Sequence, residues 1–217
     1  MDAGRKRELE AKVYAGERLT RADGEALYAS DDLAWLGRLA HHRRTRLHGD
    51  RVTFPAEPPA GGDAPGGAAT MTYGPHDEPG RRIDQVLRFR DVQDETGGFT
   101  SFVPLRDQAD PEDRATVVAP AESLKVFAVS RLLLDNVPHV TCSWDAHTLS
   151  IAQLALNFGA DDLDGSATAP GRDELLELIW DAGFQPVERD AGHQVVREHD
   201  RAPSLAGRRS EPQNVWA

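Results

Sequence analysis

The apolar positions of the first fifty residues recur at the spacing of an α-helix. Leu33, Leu36 and Leu39 are three residues apart, so a helix places them on one face. Thr20 is followed three positions later by Asp23, an arrangement close to the capping box that begins many helices, with Asp in place of the usual Glu or Gln. We therefore predict an N-terminal helical segment over residues 1–54.

Beyond residue 70, amphipathic stretches alternate with short apolar runs. The helical patterns, of which the second is the strongest, cover residues 79–95, 121–136, 148–158 and 173–182. The strand-like runs cover residues 70–74, 99–105, 139–144 and 160–164, with a hairpin near 186–197. Such alternation is typical of a parallel sheet, but a closed eight-stranded barrel takes about 250 residues. The predicted fold class is α/β, an incomplete (β/α) barrel of four to five strands over residues 70–200, preceded by the helical segment.

Two stretches show neither helical nor strand periodicity. Residues 55–69 contain four Pro and four Gly, a composition typical of a disordered linker. Residues 201–217 are polar and contain Pro, which predicts a flexible tail. The predicted organisation is therefore a helical segment, a linker, a partial barrel and a tail.

Charge and composition limit the classes of partner. The net charge of −11 argues against a nucleic-acid partner, because phosphate binding needs a concentrated basic surface. The sequence has no apolar run near 18 residues and no signal-like N-terminus, so we expect no membrane association and a cytoplasmic location. Its one cysteine cannot form an internal disulfide, which fits a reducing compartment.

An acidic run follows the helical pattern that ends near residue 158. Asp161, Asp162 and Asp164 stand where a short strand is predicted to end, and parallel α/β folds bind ligands at the carboxyl ends of their strands. These carboxylates could bind ribose hydroxyls, amines or a metal ion. The alternative is a turn and helix cap built from Asp and Gly, which needs no ligand. We retain all three as candidate substrate-binding residues.

A second candidate lies between the strand at 70–74 and the next helix. His76 and Glu78 could act as a proton-transfer pair, since histidine titrates near neutrality. The simpler alternative is a loop in which Glu78 begins a helix with Pro79 in its first turn.

Metal-binding patterns such as HxxxH are absent, so the eight histidines predict no metal site. Arg131 and Asp135, four residues apart, predict a helical ion pair.

Much of the chain resembles the aminofutalosine synthase family of radical-SAM enzymes, which act in menaquinone biosynthesis. The resemblance is carried by residues 1–13, 15–19, 27–36, 93–99, 102–105, 127–136, 138–139, 159–165, 181–184 and 186–189. It implies a radical-SAM barrel with a [4Fe-4S] cluster on a CxxxCxxC loop, and S-adenosylmethionine as the second cofactor. Family members add an adenosyl radical to an enolpyruvyl benzoate.

The chain departs from the family at the reactive centre. Residues 55–69 stand where the cluster loop belongs, and Cys142 is the one cysteine of the sequence, whereas a cluster is held by several thiolates. Pro75 occupies the position of the family's His, and His76 falls one residue later. We therefore expect the cluster to be absent, and the chain to be a truncated, catalytically inactive homologue.

A non-catalytic binding module is the alternative. An incomplete barrel leaves an open sheet edge and an uncovered interior, and both features favour association. The expected partner is a second copy of this chain or a full-length relative, bound through the open edge. A hydrolase or transferase that uses residues 161–164 has no supporting triad in the sequence.

Overall fold

The computed structural model describes residues 1–57, 67–107, 117–166 and 170–201. Within these ranges the chain forms one seven-stranded sheet, and its strands follow the order β2-β3-β4-β5-β1-β6-β7. The strands are β1 (Arg51–Pro55), β2 (Ala68–Tyr73), β3 (Ser101–Arg106), β4 (His139–Ser143), β5 (Asp162–Asp164), β6 (Gln185–Arg189) and β7 (Val195–Glu198). The first six strands pair in parallel, and β7 pairs antiparallel to β6.

Seven α-helices accompany the sheet in the described residues. They are α1 (Ala3–Ala15), α2 (Arg21–Tyr28), α3 (Leu33–His48), α4 (Pro79–Thr96), α5 (Pro120–Leu133), α6 (Leu149–Ala155) and α7 (Arg172–Asp181). The helices α4, α5 and α6 connect consecutive neighbouring strands from β2 to β5, and right-handed crossovers place such helices on one side of the sheet. The same side carries α3, which packs along α5. None of these helices combines the length and apolar character needed to cross a membrane.

The core lies between the helices and the side of the sheet that they cover. Alternate residues of the strands point into it, among them Phe54, Phe102, Val140 and Leu163, all at most 1% exposed. In α3, Gly37 permits close packing, because a Cβ at this position would lie 2.8 Å from the ring of Phe158. Burial of these apolar side chains therefore joins the N-terminal helices to the sheet in one core.

Several expectations are confirmed by this architecture. The fold is α/β with a mostly parallel sheet. The capping box at the start of α2 forms as predicted, because Thr20 accepts a hydrogen bond from the amide of Asp23 and the Asp23 carboxylate accepts one from the amide of Thr20. The chain also forms the predicted hairpin, as β6 and β7.

The predicted strand count was too low, because the described sheet has seven strands rather than four or five. The unpredicted strand is β1, which lies between β5 and β6, so residues 51–54 belong to the sheet and not to a helical segment. Pro55 completes β1, and Ala68 and Ala69 begin β2, so the ends of the predicted linker are strand residues. Residues 58–66 of the predicted linker and residues 202–217 of the predicted tail lie outside the described residues.

Candidate functional site

Polar side chains gather on the side of the sheet opposite the helices. Strand residues two apart share a face, and the parallel register aligns Thr53 of β1, Thr141 of β4 and Asp162 of β5 side by side. Asp164 lies two residues further along β5 and therefore on the same face. Arg189, the last residue of β6, reaches across β1 to both carboxylates. We refer to these five residues as the Asp162 cluster.

Asp162 accepts four hydrogen bonds within the cluster. The Arg189 guanidinium donates to both of its oxygens, at 2.6 and 2.8 Å, and the hydroxyls of Thr53 and Thr141 donate at 2.6 and 2.8 Å. One nitrogen of Arg189 also donates to Asp164 Oδ2 at 2.8 Å. Asp162 is fully buried and Arg189 is 2% exposed, so this bidentate pair is shielded from water.

The pKa values of the two carboxyl groups of the cluster are shifted in opposite directions. Burial alone would raise the pKa of Asp162, but the charge of Arg189 and the contacts of His193 outweigh it and lower that pKa. For Asp164 burial remains the larger effect, so its pKa is raised despite the same guanidinium. The cluster therefore carries a firmly ionised carboxylate beside one that protonates more readily.

Asp161 forms a separate ion pair at the amino end of β5. Its Oδ1 accepts hydrogen bonds from the guanidinium of Arg131 in α5 and, at 2.9 Å, from the backbone amide of Val140. Its Oδ2 lies 2.6 Å from Nδ1 of His139, the first residue of β4. Burial would raise the pKa of Asp161, but Arg131 and the His139 hydrogen bond lower it, so the carboxylate is ionised.

Three imidazole rings stack beside this carboxylate. His48, the last residue of α3, stacks on His139 with ring centroids 5.1 Å apart. His193, in the turn between β6 and β7, stacks on the other side of His139 with centroids 4.6 Å apart. The three rings and Asp161 line a cleft of about 220 Å³. Because the rings and the carboxylate share one cleft, we refer to these four residues as the His48 cleft.

The candidate residues predicted from the sequence do not form one site. Asp161 faces the His48 cleft, whereas Asp162 and Asp164 bind Arg189. His76 and Glu78 lie after the carboxyl end of β2, an edge strand three positions from β5. At about 4.8 Å per strand the two strands are roughly 14 Å apart, so the structure does not bring these groups together.

The segment around Glu78 makes the local contacts that the simpler alternative predicted. Glu78 is the N-cap residue of α4, and Pro79 is the first residue of the helix. Asp77 accepts a hydrogen bond from the amide of Gly74 at 2.7 Å, which closes the turn, and His76 is exposed. These contacts are those of a turn that leads into a helix.

The sequence analysis assigned no site to His48, His139 or Arg189, and it placed Arg131 in a different ion pair. The predicted ion pair of Arg131 with Asp135 is wrong, because Arg131 binds Asp161 and Asp135 binds Arg18. Sequence spacing could not reveal the His48 cleft, since its residues come from α3, β4, the position before β5 and a hairpin turn. Donor atoms of His48, His139 and Asp161 lie within 4.8 Å of one another, a proximity that the sequence spacing of the histidines did not indicate.

Cys142 lies on the helix-covered side of β4, one residue from Thr141. It is fully buried, and burial raises the pKa of its thiol. Strand alternation therefore points its Sγ away from the face that carries the Asp162 cluster.

Comparison with known proteins relates the chain to a family. No protein-family model matches the sequence. The chain is 33% identical to aminodeoxyfutalosine synthase of Streptomyces coelicolor in an alignment of 385 positions, which includes 98% of this chain and 99% of that protein. It is 40% identical over 153 residues to aminodeoxyfutalosine synthase of Thermus thermophilus, an alignment that takes in 61% of this chain but 41% of that relative.

Two solved structures of HydG, a maturase of the [FeFe]-hydrogenase, share the fold. One superposes with a TM-score of 0.68 at 10% identity, covering 89% of this chain and 77% of that chain. The other, from Carboxydothermus hydrogenoformans, gives a TM-score of 0.67 at 9% identity, covering 87% and 81%. The 33% identity to the Streptomyces relative confirms the family resemblance noted in the sequence. The shared fold is consistent with that resemblance. The chain belongs to the aminodeoxyfutalosine synthase family of radical-SAM proteins.

Proposed function

We propose that this chain is a non-catalytic member of its family, which does not assemble a [4Fe-4S] cluster of its own. The observation that carries the proposal is the position of Cys142. It is the one cysteine of the sequence, and its thiol is buried against the helices. A radical-SAM enzyme generates its radical at the cluster, so a chain without the cluster has no route to the adenosyl radical.

The residues present do not fit the cofactor that the family implies. Iron–sulfur clusters are held by several cysteine thiolates, and this sequence supplies one sulfur of that kind. Burial also raises the pKa of Cys142, which disfavours the thiolate form that binds iron. Cys142 therefore cannot substitute for the missing loop.

Loss of an internal segment explains why the loop is missing. The alignment to the Streptomyces relative has 385 positions and this chain has 217 residues, so at least 168 positions have no counterpart here. In the sheet, β1 and β2 are consecutive in sequence but are separated by three strands. We infer that the deleted segment lay between β1 and β2, where the cluster loop of the family belongs.

The proposal is tested by anaerobic reconstitution with iron and sulfide. We expect sulfide-dependent visible absorbance, cluster iron and S-adenosylmethionine cleavage to stay at the level of a Cys142→Ser variant. Streptomyces aminodeoxyfutalosine synthase, treated in the same way, is the positive control. A stoichiometric cluster with cleavage of S-adenosylmethionine would overturn the proposal, and it would require cysteines contributed by another chain.

A second candidate function is protein association through the open edges of the sheet. In the described residues β2 and β7 each pair on one side only. All four residues of β7 are exposed, including Val195 at 50% and Val196 at 58%. An exposed edge strand with apolar side chains favours pairing with another strand. The partner we propose is a second copy of the chain or a full-length relative.

Light scattering after size-exclusion chromatography tests association. We expect the native chain to form a dimer or larger species that the double variant Val195→Lys, Val196→Lys shifts toward monomer. A matched double variant on the exposed surface of β2, Thr70→Lys with Thr72→Lys, distinguishes the two edges. A monomer at every concentration, alone and mixed with the Streptomyces relative, would refute association.

A further inference from the structure

We propose that His48, His139 and Asp161 form a binding site for one divalent transition-metal ion, with Zn²⁺ as the reference ion. Two imidazoles and one carboxylate are a donor set that zinc and its neighbours accept in proteins. The site lies where α3 ends and where β4 and β5 begin, and it is independent of the cluster chemistry considered above.

The donor atoms lie close to the required spacing. At a metal–ligand distance of about 2.0–2.1 Å, ligand atoms in a tetrahedral site are roughly 3.3 Å apart. His48 Nε2 lies 3.4 Å from Asp161 Oδ2, and His139 Nδ1 lies 2.6 Å from the same oxygen. All three donors lie within 4.8 Å of one another. Metal binding therefore requires movements of roughly 1–1.5 Å, mostly a tilt of the two stacked rings.

The carboxylate is arranged so that one oxygen remains for the metal. Arg131 and the amide of Val140 both bind Oδ1 of Asp161, which leaves Oδ2 to the histidines. Carboxylates that bind metals are commonly held through their other oxygen in this way.

Two features oppose tight binding. His48 Nε2 lies 3.0 Å from the carbonyl of Pro138, a hydrogen bond that the metal would replace, with the ring proton moving to Nδ1. The guanidiniums of Arg131 and Arg44 lie near the cleft and repel a dication, although Arg131 is paired. We therefore expect an affinity well below that of a structural zinc site, with a dissociation constant of roughly micromolar order.

His193 provides a second, independent observation that the cleft accommodates a ligand. Its side chain is 5% exposed, yet neither ring nitrogen makes a hydrogen bond, and the contact of Nε2 with Oδ2 of Asp162, at 3.7 Å, is electrostatic only. Its backbone φ of 59° lies in the left-handed region that hairpin turns commonly use. The ring stacks on His139 and lines the same cleft. Because three protein ligands leave one position of a tetrahedral ion open, His193 is the residue placed to contact the group that fills it.

Cobalt titration of the tag-free, chelator-treated protein tests the site. Co²⁺ substituted for Zn²⁺ gives visible d–d bands whose intensity reports tetrahedral geometry. We expect one Co²⁺ per chain, displaced by one Zn²⁺, and a loss of affinity of at least about 10-fold in His48→Gln and in His139→Gln. His76→Gln, which alters an exposed histidine outside the cleft, is the matched control and should bind as the native chain does.

Two results would overturn the proposal. One is the absence of d–d bands at millimolar Co²⁺, and the other is binding that His48→Gln and His139→Gln leave unchanged. His48 ends a helix and is partly exposed, so its variant should fold, and far-UV circular dichroism checks this. The result does not depend on the proposed loss of the cluster, because a mononuclear ion at this site gives none of the sulfide-dependent absorbance of an iron–sulfur cluster.

Discussion

Substitution of Arg189 by Met should strongly destabilise the fold, and more so at neutral than at acidic pH. The variant keeps a flexible, unbranched side chain of about the length of the aliphatic part of arginine, but it removes the guanidinium that makes three hydrogen bonds, at 2.6–2.8 Å, to Asp162 and Asp164. Two carboxylates in the interior of the fold would then have no opposite charge. Removal of one partner of a buried ion pair typically costs about 3–5 kcal/mol.

Protonation of the two carboxylates limits the stability that the Arg189→Met variant can lose. A buried carboxylate without a partner can become protonated, and from an unfolded pKa near 3.9 this costs about 4 kcal/mol per group at pH 7. In the native chain Asp162 has a lowered pKa, so its stabilisation is present above the unfolded pKa and is lost as the pH falls below it. In the variant the same pKa is raised, so stability is lost as the pH rises. The destabilisation should therefore shrink by at least about 1.4 kcal/mol between pH 7 and pH 4.5.

Urea unfolding followed by circular dichroism at both pH values measures the effect. Arg38→Met is the matched control, because Arg38 is 60% exposed in its pair with Glu10 and should contribute nothing measurable. Adding Asp162→Asn to the Arg189 variant should restore part of the loss at pH 7, since it removes one of the unpaired charges. A loss below about 1 kcal/mol at pH 7, or an equal loss at both pH values, would refute the reasoning.

Three further predictions concern backbone geometry and the thiol. Gly159→Ala should lower the free energy of unfolding by at least about 1–2 kcal/mol, because φ is 107° and the new Cβ would lie 2.6 Å from Cβ of Arg131. Gly49 also has a positive φ but no neighbour within 4 Å, so Gly49→Ala should cost less in the same urea assay. The buried Cys142 thiol should react with a disulfide reagent at pH 8 only as fast as the chain unfolds, so rapid labelling of the folded protein would contradict its burial. Thr20→Ala should cost about 1 kcal/mol through loss of the capping box, and an unchanged thermal midpoint would argue against that role.

The parts of the fold that sequence patterns predicted are those with local causes. Apolar spacing along α3 and α5 predicted these helices, because side chains three or four residues apart lie on the same face of an α-helix. The capping box of α2 is also local, since it involves atoms a few residues apart. Patterns of this kind can be recognised in the sequence because the interactions that cause them join residues close together in the chain.

The strand β1 escaped prediction because its environment is not local. Residues 51–55 follow a helix and precede a segment rich in Pro and Gly, and nothing beside them in sequence indicates a sheet. Their hydrogen-bonding partners are β5 and β6, more than 100 residues away. Similarly, Arg131 has a suitable partner four residues along its helix, but it faces the sheet and binds Asp161 thirty residues away.

By itself the sequence determined the family, the α/β class and the lack of a second cysteine, because each depends on residue identity and short spacing. Only the tertiary structure decided which carboxylate binds which cation. Neighbouring residues of a strand face opposite sides of a sheet, so Asp161 and Asp162 enter different clusters although they are adjacent in sequence. The His48 cleft likewise exists only because parallel pairing brings the beginnings of β4 and β5 beside the end of α3.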